Sequence, residues 1–226
     1  MTSPLPAAVL WDMDGTLVDT EPYWMAAETP LVERFGGTWT HEDGLAMVGM
    51  GLADAARVLQ AAGVRLEVDE IVAHLTDEVM RRLREDGVPF RPGARELLRA
   101  LRESGVPTAL VTMSMSRMAK VITELIDFDA FDVVIGGDEV THPKPHPAPY
   151  LQACAALGVD PADTVAFEDS VTGTTSAVAA GTVTVGIPHM VPLDGVGAHE
   201  LWPTLDGRTV ADVADVLERV RRGVDA

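Results

Sequence analysis

Val9-Leu10-Trp11-Asp12-Met13-Asp14-Gly15-Thr16-Leu17-Val18-Asp19-Thr20 decides how the rest of the chain folds. An apolar run from Ala7 to Trp11 stops at two carboxylates spaced one apart, followed by glycine and threonine. A short apolar run bounded by turn residues reads as a buried strand, with a loop at its carboxyl end. In an open parallel sheet that edge is where ligands bind. Residues two apart on an extended segment share a face, so Asp12 and Asp14 can converge on one site. A turn rich in Asp and Gly is common in proteins, and two acids alone leave the choice open. Three later strand ends that also stop on reactive groups tip it.

The bulk numbers bound the answer. A chain of 226 residues fits one large domain, or one domain carrying an insert. The apolar fraction of 47% is ordinary for a globular protein with a real core. Acids outnumber Lys and Arg 35 to 17, for a net charge of −18. That field opposes binding to nucleic acid or to an anionic membrane, so an anionic substrate needs local cations or a metal at its site. The single cysteine, Cys154, lies in an apolar run and is expected to face the core. With no internal disulfide available, a reducing compartment is expected. No signal-peptide pattern opens the chain, and no apolar stretch reaches the ~18–20 residues that span a bilayer. The expectation is a cytoplasmic protein with no membrane and no nucleic-acid partner, monomeric or weakly homodimeric.

After Thr20 the pattern turns helical until about Asp86. Leu52, Ala55, Ala56, Leu59 and Ala62 repeat at helical spacing, as do Ile71, Leu75, Val79 and Leu83 behind an expected Asp69 cap. Pro22–Phe35 is also expected to be helical, kinked or split at Pro30. Gly36-Gly37, Gly49–Gly51 and Gly63 mark turns. The stretch reads as a helical bundle inserted after the first strand. From Pro89 onward strands and helices alternate. Pro92 opens and Gly105 closes a helix. Strands follow at Pro107–Val111, Phe131–Ile135, Thr164–Phe167 and Thr182–Val185. Helices are expected at Ser116–Ile126, about Pro147–Leu157, Val171–Ala180 and about Val210–Val220. Such alternation implies right-handed crossovers and a doubly wound parallel α/β sheet, covered on both faces. The segment Pro188–Arg208 shows only loop signals. The expected division is residues 1–19 with 89–226 as an α/β core, and 20–88 as a helical cap.

Each strand delivers a polar group to one edge. The first ends at Asp12 and Asp14. The second ends at Thr112 with Ser114 behind, before a helix that Ser116 can cap. The third is followed by Gly136-Gly137-Asp138 and then Pro143-Lys144-Pro145. The fourth ends at Glu168-Asp169-Ser170. These groups suit phosphoryl transfer. Asp12 can attack phosphorus to form an aspartyl-phosphate, and Asp14 can protonate the leaving oxygen and then activate water. Acids so close need a cation between them or a shared proton. Asp12 and Asp169, with Glu168 as a further candidate, offer hard oxygens suited to Mg²⁺. Lys144 is a point charge for phosphate, and Thr112 and Ser114 add donors near a helix start. A lone loop lysine is usually a solvated charge, and acids at a helix start are ordinary. Their joint order and spacing favour a site.

The motifs Asp12-Met13-Asp14-Gly15-Thr16-Leu17-Val18-Asp19-Thr20, Val111-Thr112, Lys144-Pro145 and Glu168-Asp169-Ser170 with Gly173 beyond resemble those of haloacid dehalogenase (HAD) superfamily phosphatases. The likeness is to the subgroup whose helical cap follows the first strand, on a Rossmann-like core. It implies Asp12 as nucleophile, Asp14 as acid and base, and Thr112 and Lys144 holding the transferring group. It also implies Mg²⁺ on Asp12, the Asp14 carbonyl and Asp169, with Glu168 as a direct or outer ligand. Trp24 stands where the similar β-phosphoglucomutases carry a cap histidine, and Leu52 is the nearest match to their cap arginine. Both weaken a mutase that must hold a bisphosphate. Glu21-Pro22-Tyr23-Trp24 looks more like the sugar-phosphate phosphatases, with Trp24 either a substrate contact or part of the cap packing. A cap without lysine argues against phosphonatase chemistry, and Asp14 against dehalogenases. Met113 replaces the small or polar residue usual beside the threonine and lines the substrate site in this reading. His41, His74, His142 and His146 are weaker ligand candidates than the oxygens. The expected reaction is Mg²⁺-dependent hydrolysis of a small phosphorylated metabolite. A phosphomutase and an idle phosphate-binding module are the alternatives.

Overall fold

A computed structural model describes residues 3–47 and 50–223. Its chain divides into two compact units, residues 1–18 with 90–226, and residues 19–89. The first unit holds one sheet of β1 (Ala8–Trp11), β2 (Thr108–Val111), β3 (Val133–Ile135), β4 (Thr164–Glu168), β5 (Val183–Gly186) and β6 (Glu200–Leu201). The order is β3-β2-β1-β4-β5-β6, and every pairing is parallel. All residues of β1, β2, β4 and β5 are buried. This is why these strands read as continuous apolar runs rather than as alternations.

Helices α5 (Ala94–Glu103), α6 (Ser116–Leu125), α7 (Ala148–Leu157), α8 (Val171–Ala179) and α9 (Val210–Arg221) belong to the same unit. Leu10, Ala109, Val111 and Ala166 meet Tyr150, Ala153, Cys154 and Ala177 in one buried cluster on the α7 and α8 face. Cys154 is thus a core thiol, as expected. Successive strand residues point to opposite faces, so Trp11 and Phe167 lie on the other side. Their rings meet edge to face at 4.7 Å, and Trp202 follows 5.7 Å from Phe167. The strand order reverses at β1, whose register sets Trp11 against Leu110 on one side and Phe167 on the other. In a doubly wound sheet the crevice opens there, beyond the carboxyl ends.

The second unit contains α1 (Glu21–Arg34), α2 (His41–Leu45), α3 (Leu52–Ala61) and α4 (Val68–Asp86). Helix α4 packs against both α1 and α3. The periodic residues Ile71, Leu75, Val79 and Leu83 are all buried, as are Ala55, Ala56 and Leu59.

Local details depart from the sequence expectations. Helix α1 is not split: it continues through Pro30, which sits on the exposed face where water can serve the carbonyl it leaves unpaired. Asp69 does not cap α4. Glu67 precedes the helix and its N–H donates to Glu70 Oε2 at 2.8 Å. Pro92 lies before α5, which begins at Ala94 after Gly93 at φ +78. Ser116 is the first residue of α6 rather than its cap, and both its N–H and Oγ donate to Asp138, at 2.7 and 2.8 Å. The stretch after Pro188 carries β6, an edge strand too short to give a period. Gly49, part of the expected Gly49–Gly51 turn, lies outside the described residues.

Candidate active site

Beyond β1 the chain closes a tight loop. The N–H groups of Leu17 and Val18 both donate to the Met13 carbonyl, and Gly15 N–H donates to Val18 O at 2.7 Å. Gly15 adopts φ +86, and a Cβ there would stand 2.0 Å from Asp169 Oδ2. Glycine is therefore required both by the backbone and by the close approach of the acid. Thr16 Oγ1 donates to Asp169 Oδ1 at 3.2 Å, tying the loop after β1 to the end of β4.

At the centre lies Lys144, whose side chain is only 4% exposed. Its ammonium donates to Asp12 Oδ1 at 2.7 Å, Glu168 Oε1 at 2.6 Å and the Val111 carbonyl at 2.9 Å. An ammonium has three protons, and these partners take all of them. Three strand ends, β1, β2 and β4, thus meet on one cation delivered by the loop after β3. The Lys144 N–H donates to Met113 Sδ at 3.3 Å. Met113 thereby steadies the lysine loop, a contact the sequence did not signal.

Asp14 sits on the β2 side. Its Oδ2 accepts from Ser114 Oγ at 2.7 Å and from Thr112 Oγ1 at 3.3 Å. Thr112 Oγ1 also accepts the Ser114 N–H at 3.0 Å. These two hydroxyls thus orient the second carboxyl directly. Trp24 lies in α1 of the helical unit and is buried.

Asp12, Glu168 and Asp169 each offer an oxygen within 4.8 Å of the others, and all three are buried. Burial raises the Asp12 pKa from 3.8 to about 7, with the Glu168 charge adding and Lys144 opposing. Burial and then the charges of Asp12 and Glu168 push Asp169 well above its usual range. Burial works against the Lys144 charge, but Asp12 and Glu168 reverse this and hold it protonated. Three clustered carboxylates against one ammonium leave a site that is short of positive charge. A small divalent cation with a taste for oxygen fits that deficit. The histidines stand apart from this cluster. The rings of His142 and His146 lie 4.7 Å apart and tilted by 38°, and His146 Nδ1 accepts the Ala148 N–H. His41 and His74 are exposed in the helical unit.

Two further groups complete the site. Tyr150, on α7, donates its hydroxyl to Glu168 Oε1 at 2.6 Å. Gly173, in the first turn of α8, leaves the space that the Glu168 carboxylate fills, since a Cβ there would stand 2.0 Å from both oxygens. Gly173 follows the Glu-Asp-Ser motif in sequence. Tyr150 carried no signal beyond its six-residue distance from Lys144.

The family model of the haloacid dehalogenase-like hydrolases matches residues 6–181. A phosphorylated carbohydrates phosphatase of Thermotoga maritima is 31% identical over 80% of this chain and 85% of its own length. Hexitol phosphatase B of Escherichia coli K12 is 29% identical over 80% of this chain and 83% of its own. The crystal structure of CbbY from Rhodobacter sphaeroides in complex with phosphate superposes with a TM-score of 0.81 at 25% identity, covering 90% of this chain and 96% of that one. With the doubly wound sheet and the acid–lysine cluster at its switch point, these likenesses identify the chain as a member of the haloacid dehalogenase-like hydrolases.

Proposed function

We propose that the protein is a Mg²⁺-dependent phosphatase that hydrolyses a small phosphomonoester, a sugar phosphate among the candidates, through an aspartyl-phosphate on Asp12. The observation that carries this reading is the buried Lys144 ammonium joined to Asp12 and Glu168, with Asp169 beside them. Relatives named as sugar-phosphate phosphatases support the substrate class.

Asp12 and Asp169, with the Asp14 carbonyl and Glu168 near, are the residues that would hold the metal. Mg²⁺, when bound, supplies positive charge that favours ionised Asp12 and offsets the charge of the transferring phosphoryl group. The remaining work belongs to side chains. Lys144 orients Asp12 through Oδ1 and favours its anionic form. An Asp12 oxygen forms the new bond to phosphorus as the ester oxygen leaves with a proton from the Asp14 carboxyl. Asp14 then takes a proton from water, whose oxygen attacks phosphorus. The Asp12–phosphorus bond breaks and inorganic phosphate departs. Ser114 and Thr112 hold Asp14 in place for both transfers. To touch the phosphoryl group, Lys144 must exchange one of its three present acceptors.

The same proposal treats residues 20–88 as a cap, with Trp24 as a selectivity residue and Met113 at the edge of the phosphate seat. It places the enzyme in the cytoplasm as a monomer or weak homodimer, free of membrane and nucleic acid. Phosphate release from p-nitrophenyl phosphate with Mg²⁺ tests it, followed by a panel of phosphorylated metabolites. Asp12→Asn is expected to drop turnover to the buffer background with an unchanged circular dichroism spectrum. Retained turnover in that variant would remove Asp12 from its role, and an inactive wild type would leave only a phosphate-binding module.

A further inference from the structure

The fully buried hydroxyl of Tyr150 is a side-chain donor in the acid cluster to which the proposed reaction assigns no task. It shares an acceptor with the central cation: Tyr150 OH and Lys144 Nζ both reach Glu168 Oε1, each at 2.6 Å. The Lys144 ammonium also sits 5.1 Å from the centre of the Tyr150 ring. Glu168 Oε2 accepts from Ser170 Oγ at 3.3 Å, and the whole carboxylate lies in the space over Gly173. Every oxygen of Glu168 is therefore engaged by the protein. Burial and the neighbouring Glu168 charge hold the phenol protonated, so it stays a donor.

We propose that Tyr150 is a positioning residue that locks Glu168 onto Lys144, so that Glu168 aims the ammonium at Asp12 while Asp12 and Asp169 serve as the direct carboxylate ligands of the metal. The proposal rests on the phosphatase reading and goes beyond it by giving the Tyr150 hydroxyl a task. The geometry favours this arrangement. Glu168 lies inside the sheet edge with donors on both oxygens, whereas Asp169 is held by the Thr16 hydroxyl on the loop that also carries Asp12 and Asp14. Losing the tyrosine hydroxyl frees one lobe of Oε1, lets Glu168 rotate, and loosens Lys144 from Asp12. The ring of Tyr150→Phe keeps the core filled, so packing is conserved.

Turnover of p-nitrophenyl phosphate and calorimetric titration with Mg²⁺ alone, on wild type, Tyr150→Phe and Asp169→Asn, test the assignment. Tyr150→Phe is expected to lose about tenfold in kcat at saturating Mg²⁺, equivalent to about 1.4 kcal/mol in the barrier. Its KM should stay within about twofold and its Mg²⁺ affinity within about threefold, while Asp169→Asn abolishes the Mg²⁺ signal. A Tyr150→Phe enzyme with wild-type kcat and only a lower melting temperature would reduce the residue to core packing and overturn the role. A tenfold loss of Mg²⁺ affinity, with kcat restored by excess metal, would overturn it too by making Glu168 a direct ligand. An inactive wild type would sink the phosphatase reading and this role together, whereas an active wild type matched by its variant sinks only the role.

Discussion

Replacing Lys144 by Met keeps most of the side-chain volume and removes the charge. The variant leaves Asp12, Glu168 and Asp169, with oxygens within 4.8 Å of one another, without a cation in a buried site. Breaking a buried ion pair by removing one partner costs about 3–5 kcal/mol. For a chain of this length one kcal/mol moves Tm by about 2–4 °C, so the loss in EDTA should be roughly 6–20 °C. Mg²⁺ then has a distinctive effect. In the wild type the ammonium repels a divalent cation and offsets part of the negative charge that would bind it, and in Lys144→Met it does neither. Ligand at a hundred times its Kd stabilises by about 2.7 kcal/mol, and the tighter site in the variant gains more at equal concentration. Thermal unfolding of both proteins in EDTA and across a Mg²⁺ series checks this. The variant should begin lower and rise further. Asp169→Asn supplies the mirror image, since removing one negative charge relieves the crowding and should hold or raise Tm in EDTA while abolishing the Mg²⁺ response. A Lys144→Met protein within 2 °C of wild type in EDTA, or one whose Mg²⁺ shift equals the wild-type shift, would refute the charge-deficit argument.

Two other substitutions probe buried carboxylates that close packing holds in place. Gly173→Ala drives a methyl group into both oxygens of Glu168, and overpacking of this kind costs about 1–3 kcal/mol. Both Tm and kcat on p-nitrophenyl phosphate are expected to fall; an unchanged kcat would deny that the glycine makes room for a working carboxylate. In the helical unit, Glu28 is 5% exposed and accepts from Trp39 Nε1 at 3.1 Å, with Gly44 leaving the room its carboxyl needs. Burial raises its pKa above 4.5, against the Trp39 bond, so the folded unit binds a proton that the unfolded chain has released. Stability is then fully present below pH 4.5 and declines as pH rises through the raised value. Glu28→Gln keeps an acceptor for Trp39 and removes the ionisation. Melting curves should show it more stable than wild type at pH 7.5, with the gain vanishing near pH 4. A gain that does not depend on pH would rule out the ionisation account.

What the sequence made legible follows from what periodicity and punctuation encode. Strands buried on both faces announce themselves as apolar runs ending at polar residues, so Asp12, Thr112 and Glu168-Asp169 could be placed at the ends of β1, β2 and β4. The alternation of strands and helices made these ends neighbours in a parallel sheet, and the loop after β3 brings Lys144 to them. Boundaries were less legible, because caps depend on geometry that composition does not determine: Glu67 rather than Asp69 precedes α4, and Ser116 is drawn to Asp138 instead of its own helix end. Strand β6 has two residues and cannot display a period. The site shows the same limit. A motif reveals groups that stand at loop ends, where the chain must change character. Tyr150 lies inside α7, facing a core of alanines and Cys154, where an aromatic residue is the ordinary filler. Only the sheet's spatial order sets the hydroxyl of that filler against Glu168. The distinction has a physical basis. Reactive groups at strand ends are specified by local sequence because the backbone there is specified locally. The donors that steady them can come from any element whose side chain reaches the same oxygen, and at this site α7 provides that donor.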